Sequence, residues 1–211
     1  MQKGLQRLIA LLPEVNVIGT TDKIIRDVTA DSRVVQPGSL FIALKGVHAD
    51  GHKFLGKAAE AGATAALVED VPSEIPEGLT LLQVKDVRGA METVAPYFFD
   101  YPGKTMRMIG VTGTNGKTTS TNIIRQVLTS AGFKCGMIGT INVMIGEESI
   151  VSHNTTPDVV DLQKFLYRMK EGGCQYVVME VSSHALALKR VAGIEFDTAV
   201  LTNITEDHLD F

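Results

Sequence analysis

"MIGVTGTNGKTTSTN", from Met108 to Asn122, decides the fold. An apolar run enters a turn holding Gly113 and Gly116. Lys117, Thr118 and Thr119 follow, and then a helix-like stretch. Strand, glycine-rich turn, lysine, hydroxyl and helix in that order are how a chain holds a polyphosphate. The strict phosphate-loop pattern wants a glycine five residues before Gly116, where this sequence has Val111. Gly110 and Gly113 flank that position instead. The physical requirements survive the mismatch. Glycines allow tight turns and close approach of backbone N–H groups to phosphate oxygens. Lys117 can reach outer phosphates as a point charge, Thr118 can offer a hydroxyl to Mg²⁺, and a helix N-terminus adds its dipole. The bland alternative is a strand–helix turn with no ligand.

Outward from that loop, residues 104–211 alternate strand and helix. "RMIGV", "CGMIGT", "YVVMEVS" and "DTAVLTN" read as apolar strands, and "INVMIGEESIVS" as a hairpin around Gly146-Glu147. The helix after Lys117 is expected to bury Ile123, Ile124, Val127, Leu128 and Ala131. "VVDLQKFLYRMKEGG" places Leu162, Phe165, Leu166 and Met169 on one helical face. Apolar strands alternating with amphipathic helices predict a parallel sheet covered on both faces. In such sheets ligands lie beyond the carboxyl ends of the strands. The conspicuous polar residues fall at those ends: Thr112–Thr119, Thr140, Glu180–His184 and Asn203–His208. A carboxylate at Glu180 would be costly if buried unpaired, and a Mg²⁺ beside the loop would offset that cost; the alternative is an exposed edge glutamate. His208 alone is a loop histidine, which is usually structural or exposed.

Residues 1–103 form a first block. A helix spans Leu5–Leu12, and strands are expected at "IIRDVTADS", "SLFIAL", "TAALVE" and "TLLQV". "KFLGKAAEAGA" reads as a helix ending at Gly62, and "DVRGAMETVAPYFFD" as one disturbed by Pro96. The turn "DYPGK" marks the boundary, giving domains 1–103 and 104–211.

Composition bounds the rest. Of 211 residues 45% are hydrophobic and 21% charged, an ordinary globular balance. The first block carries 10 basic and 13 acidic side chains and the second 10 and 11, so no nucleic-acid footprint is indicated. No stretch approaches a membrane span, and the N-terminus is amphipathic rather than a signal peptide, which points to the cytoplasm. Cys135 and Cys174 lack metal-type spacing and are expected to be reduced structural thiols.

"GVTGTNGKTT", "NTTP", "MEVSSHAL" and "LTNITEDHLDF" together resemble the Mur ligase family, ATP-dependent amino-acid ligases of peptidoglycan precursor synthesis. The loop variant is that family's own. "DSRVVQPGSLFIALKGVHADGHKF" resembles the N-terminal domain of its MurE branch. The fold implied is α/β: a small UDP-binding domain followed by part of a phosphate-loop, parallel-sheet ATPase domain. The resemblance implies phosphorylation of the terminal carboxylate of UDP-MurNAc-L-Ala-D-Glu and attack on the acyl phosphate by a diamino acid, diaminopimelate or lysine. Such chemistry needs positioning and charge neutralisation more than a protein nucleophile.

By the same resemblance Gly113, Thr114, Asn115, Gly116, Lys117, Thr118 and Thr119 would bind the ATP phosphates. Thr118 and Glu180 would hold one Mg²⁺, and His208 would help hold a second. Lys117, Glu180 and His208 would be the catalytic set. Ala30, Ser32 and the segment Val47, His48, Ala49 would contact the uridine end. Asn154, Thr155, Thr156, Ser182 and Arg190 would contact the muramoyl peptide. Leu188 departs from some relatives, which carry a substrate-contacting Gln there. The family has a carbamylated lysine and a C-terminal domain beyond the matching motifs, so the chain reads as an N-terminal portion, inactive alone. An exposed apolar face is expected at Asp197–Asn203, with self-association one way to cover it; the complete enzyme would be a monomer. The competing readings are a non-catalytic nucleotide-sugar-binding module and another phosphate-loop enzyme, such as a small-molecule kinase or a MurF or folylpolyglutamate-type ligase.

Overall fold

A computed structural model describes residues 1–46, 49–152 and 154–205. The chain divides into two units, Met1–Phe98 and Phe99–Phe211. The turn Pro102–Thr105, which the sequence boundary cuts, belongs with the second unit: a side chain at Gly103 would touch Met108 and Leu166.

The first unit opens with β1 (Lys3–Gly4), α1 (Leu5–Ile9) and β2 (Asn16–Ile18). The predicted strand at "IIRDVTADS" is two strands, β3 (Ile24–Ile25) and β4 (Asp27–Thr29). They part at Arg26 because β3 pairs with β1 while β4 pairs with β5 (Ser39–Ile42). Next come α2 (Leu55–Glu60), β6 (Ala65–Val68), β7 (Thr80–Gln83) and α3 (Val87–Phe98). The sheet order is β2-β7-β6-β5-β4, parallel except for β2, a strand the sequence did not reveal. Phe41, Ala66, Val68 and Leu81 pack with Leu55 and Ala58 of α2. By strand alternation Leu40, Ile42, Leu67 and Leu82 are buried on the opposite face. Gly62 takes φ +98° just beyond α2, and the Ala63 amide reaches back to Ala58, ending the helix as predicted. Pro96 does not break α3. It sits buried in the last turn, and the helix stops two residues on, where Asp100 and Tyr101 adopt left-handed φ.

The second unit holds β8 (Arg107–Thr112), α4 (Lys117–Ser130), β9 (Cys135–Ile138), β10 (Asn142–Ile145), β11 (Glu148–Val151), α5 (Val159–Glu171), β12 (Tyr176–Glu180), α6 (Ser183–Ala187) and β13 (Thr198–Leu201). Its order is β11-β10-β9-β12-β8-β13. Strands β9, β12, β8 and β13 are parallel, as predicted, but β10 and β11 add an antiparallel hairpin at one edge. Val177, Val178 and Met179 are fully buried in central β12, which is why that strand is apolar on both faces. Strand β13 shares that apolar character; among the described residues it pairs with β8 alone, and Leu201 is 58% exposed there.

Helix α4 corrects one expectation. Ile124 and Leu128, spaced by four, pack against Val111, Cys135 and Val178 of the sheet. Ile123 and Val127 lie about 100° further round the helix and are 54% and 63% exposed. Ala131 is also exposed. In α5, by contrast, Leu162, Leu166 and Met169 are buried and Phe165 packs against the same core.

Cys135 and Cys174 are buried and free. Burial pushes the Cys135 thiol up to about 11 and raises that of Cys174. Only roughly one Cys135 in ten thousand is then thiolate near neutral pH. Alkylation by iodoacetamide should therefore wait on unfolding. Rapid native labelling at either position, read by mass spectrometry, would show that the sheet opens there.

Candidate nucleotide-binding site

The site forms where β8 turns into α4. Gly113 (φ +130°) and Gly116 (φ +86°) adopt backbone that L side chains rarely take. A Cβ on Gly113 would also collide with Thr202 Oγ1 and lie 2.8 Å from the Asn203 carbonyl. The loop therefore needs glycine for conformation and for space. Lys117 folds back so that Nζ donates to the Gly113 and Thr114 carbonyls at 2.6 and 3.0 Å. Gly116 is the N-cap of α4 and supplies no side-chain acceptor. The first-turn N–H groups of α4, at Lys117, Thr118 and Thr119, lack intrahelical acceptors. They form a seat for an anion, strengthened by the helix dipole.

Glu180 ends β12 beside this loop, paired in register with Val111 of β8. It is 1% exposed. Its Oε2 accepts from the Thr118 hydroxyl at 3.0 Å and the Thr140 hydroxyl at 3.1 Å, and its Oε1 from the Thr140 N–H at 3.0 Å. Gly139 makes room, since a Cβ there would lie 2.5 Å from Oε1. All three donors are neutral, so the carboxylate is held and oriented but its charge is not balanced by them. One carboxylate and one hydroxyl beside a phosphate seat suit a hard divalent cation, which takes its remaining oxygens from phosphate and water. The donor set thus fits Mg²⁺. Among the described residues no cluster of three His, Cys, Asp or Glu side chains could hold a metal unaided.

Of the residues assigned to the peptide by resemblance, Thr155 lies beside Thr140 and Thr156 lies against the Glu180 backbone. Thr155 Oγ1 lies 3.1 Å from Thr140 Oγ1. Thr156 is buried; its hydroxyl donates to the Glu180 carbonyl at 2.9 Å and accepts from Ser182 N–H. Arg190 donates to the Thr156 carbonyl at 3.0 Å, while its Nε is buried without a partner. Ser182 Oγ caps α6 through Ala185 N–H. Asn154 is exposed, and Leu188 is half-buried at the C-cap of α6. A cleft of about 250 Å³ runs from Gly113, Thr114 and Lys117 to Ser182, Ser183 and Asn203.

In the first unit, Ala30 and Ser32 follow the carboxyl end of β4 and are half-buried. Asp31 braces that turn, accepting from Arg33 N–H and pairing with its guanidinium at 2.7 Å. The Ala49 carbonyl accepts from Gly46 N–H, closing the small loop whose ends Lys45 and Asp50 bridge. Val47, His48 and His208 lie outside the described residues.

Three residues with clear roles were given none from the sequence. Thr140 and Asn203 stood out only as polar residues at strand ends. Thr202 gave no signal: it touches the Asn115 carbonyl from 87 positions away.

A strand–glycine loop–helix with a lysine at its throat and a buried carboxylate facing its threonine is the architecture of a phosphate-loop protein of the α/β class. Two profiles place it further: the Mur ligase family, catalytic domain, matches residues 24–95, and the Mur ligase middle domain matches residues 111–211. The chain belongs to the Mur ligase family, of which it carries the N-terminal and middle-domain portions. It is 42% identical over 207 residues to the UDP-N-acetylmuramoyl-L-alanyl-D-glutamate–2,6-diaminopimelate ligase of Bacteroides fragilis, covering 98% of this chain and 43% of that protein. For the ligase of the same name from Clostridioides difficile the identity is 46% over 207 residues, covering 98% and 42%. A solved structure of a ligase with that name superposes with TM-score 0.78 at 27% identity, covering 99% of this chain and 42% of that one. MurF from Acinetobacter baumannii shares the fold, with TM-score 0.67 at 22% identity, covering 100% and 42%. The chain spans about two-fifths of the length of these relatives. No helix among the described residues is long and apolar enough to cross a membrane.

Proposed function

We propose that this chain is the nucleotide-sugar- and ATP-handling portion of a cytoplasmic ligase that joins a diamino acid to UDP-MurNAc-L-Ala-D-Glu. The observation that carries the reading is the buried Glu180 carboxylate 3.0 Å from Thr118, directly beyond the phosphate loop. The names of the similar ligases favour 2,6-diaminopimelate as the amine. ATP would supply the phosphoryl group that converts the substrate carboxylate into an acyl phosphate, from which inorganic phosphate leaves as the amine forms the amide bond. The N–H groups opening α4 and the Lys117 ammonium bind and neutralise the outer phosphates. Glu180 and Thr118 would hold Mg²⁺ against them, with His208 as a further candidate ligand. Ser182 and the segment Asn154–Thr156 border the same end of the sheet, where the peptide carboxylate must arrive. Ala30, Ser32 and the loop containing Val47, His48 and Ala49 take the uridine end.

Calorimetry on the chain should give heat with Mg-ADP and with UDP-MurNAc-L-Ala-D-Glu. Folded protein that binds neither would overturn the proposal. Ser32→Ala removes one neutral hydrogen bond and should weaken the UDP-sugar by about 1 kcal/mol, near fivefold. Mg-ADP affinity should stay unchanged, which makes the nucleotide the internal control. Equal UDP-sugar affinity in wild type and Ser32→Ala would remove that hydroxyl from the uridine site.

A further inference from the structure

The phosphate loop is gripped by a segment the reaction does not otherwise need. Past the end of β13, residues 202–205 run alongside residues 112–115 and bond to them on both sides of the backbone. The Asn203 carboxamide closes a ring on one residue: Oδ1 accepts from Asn115 N–H at 3.0 Å and Nδ2 donates to the Asn115 carbonyl at 3.1 Å. That pairing fixes the amide's orientation, because only Oδ1 can face an N–H and only the NH₂ a carbonyl. The Asn203 carbonyl accepts from Thr114 N–H at 3.3 Å. The Thr202 hydroxyl lies 2.6 Å from the Asn115 carbonyl and 3.1 Å from that of Thr112. Thr114 and Thr205 exchange a reciprocal pair: the Thr205 N–H donates to Thr114 Oγ1 at 3.1 Å, and that hydroxyl donates to the Thr205 carbonyl at 3.2 Å.

The consequence concerns which donors remain for a ligand. Thr114 and Asn115 N–H groups are already engaged, so the seat narrows to the start of α4 and the Lys117 ammonium. A glycine-containing loop left to itself would lose backbone freedom on gripping a phosphate, and ordering it would cost affinity. Here the loop is ordered beforehand.

We propose that Asn203, seconded by Thr202, is a positioning residue that buckles the phosphate loop into its ligand-ready shape. The proposal rests on the nucleotide reading of the site. Asn203 need not touch the nucleotide; it acts through the backbone of Asn115.

The test combines amide hydrogen exchange on the free chain with calorimetry using Mg-ADP and inorganic pyrophosphate. In Asn203→Ala the Thr114 and Asn115 amides should exchange faster while β8 and β12 keep their protection. Mg-ADP and pyrophosphate should both bind roughly tenfold more weakly, with a more unfavourable entropy. Asn203→Asp keeps the acceptor for Asn115 N–H but loses the donor, and should retain the amide protection. Thr202→Val should weaken both ligands and Thr202→Ser should restore them, which gives a readout if Asn203→Ala loses stability. Unchanged exchange, or faster exchange with wild-type affinity, overturns the buckle. Loss of protection throughout the second unit in Thr202→Val as well as in Asn203→Ala would mean a general structural role and overturns it too. Wild-type chain that binds no Mg-ADP would instead sink the nucleotide reading, and that is seen before any substitution is made.

Discussion

Lys117→Met should cost the chain most of its affinity for Mg-ADP. The substitution keeps an unbranched apolar stem of similar length and removes the ammonium. In the free protein that ammonium spans the Gly113 and Thr114 carbonyls, at 2.6 and 3.0 Å, so it sits in the throat of the loop rather than in solvent. Two losses then combine. The loop gives up two hydrogen bonds that tie its first half to α4. The outer phosphates give up their only close cationic side chain among the loop residues Gly113–Thr119. Hydrogen bonds to charged groups contribute roughly 1.5–3 kcal/mol each, so the affinity should fall tenfold to more than a hundredfold. Asn203 and Thr202 still hold the loop from the other side, so the variant should fold and melt close to wild type. Lys117→Arg is the sharper comparison. It restores charge, but a planar guanidinium does not reproduce a point charge between two carbonyls, and rescue should be partial. Calorimetric titration reads both variants. Mg-ADP binding to Lys117→Met at wild-type strength would take the lysine out of phosphate recognition.

The phosphate loop was legible because its determinants are local. Gly113, Gly116, Lys117 and Thr118 lie within six consecutive positions, and each is needed for a reason that backbone sterics and charge supply without a fold. The central strands were legible for a similar reason: a strand buried on both faces, such as β12, has no choice but an apolar run. What escaped the sequence is what depends on neighbours. Strands β12 and β13 read alike, yet among the described residues β12 has a neighbour on each side and β13 pairs with β8 alone, and only pairing separates them. The stripe Ile124–Leu128 meets the sheet while the adjacent stripe Ile123–Val127 does not, a difference of one residue's rotation that apolar spacing cannot resolve. Pro96 reads as a disturbance of its helix, but α3 runs through it to Phe98, and the missing N–H takes a single i→i−4 donor out of the last turn. In the site, Thr140 and Asn203 act across gaps of 40 and 88 residues, on Glu180 and on Asn115. Threonine and asparagine are common at strand ends for bland reasons, so neither announces itself before the sheet order is known.

Glu180→Gln should separate the metal role of that residue from its structural one. The buried carboxylate accepts from two hydroxyls and one backbone N–H. A glutamine of the same shape can satisfy all three neighbours. Its Oε1 would stay on Thr140 N–H, which can only donate, and its NH₂ would face the Thr118 and Thr140 hydroxyls, which can turn to accept. The hydrogen-bond frame is therefore preserved and the negative charge is lost. If Glu180 serves the frame alone, the variant should bind ADP with the same Mg²⁺ dependence as wild type. If it serves a divalent cation, the Mg²⁺ concentration needed to promote ADP binding should rise at least roughly tenfold, because hard cations draw most of their protein affinity from carboxylate oxygens. ADP affinity without Mg²⁺ should move the other way or stay constant, since an anion near the phosphate seat has been removed. That opposite response distinguishes a lost metal ligand from general damage, which would weaken binding under both conditions. Thr118→Val offers a second line. It deletes the hydroxyl 3.0 Å from Glu180 while leaving the carboxylate, so its Mg²⁺ requirement should rise by less. Superimposable Mg²⁺ titrations for wild type and Glu180→Gln would leave the carboxylate as a brace between Thr118 and Thr140, and the divalent site would have to be built from other residues.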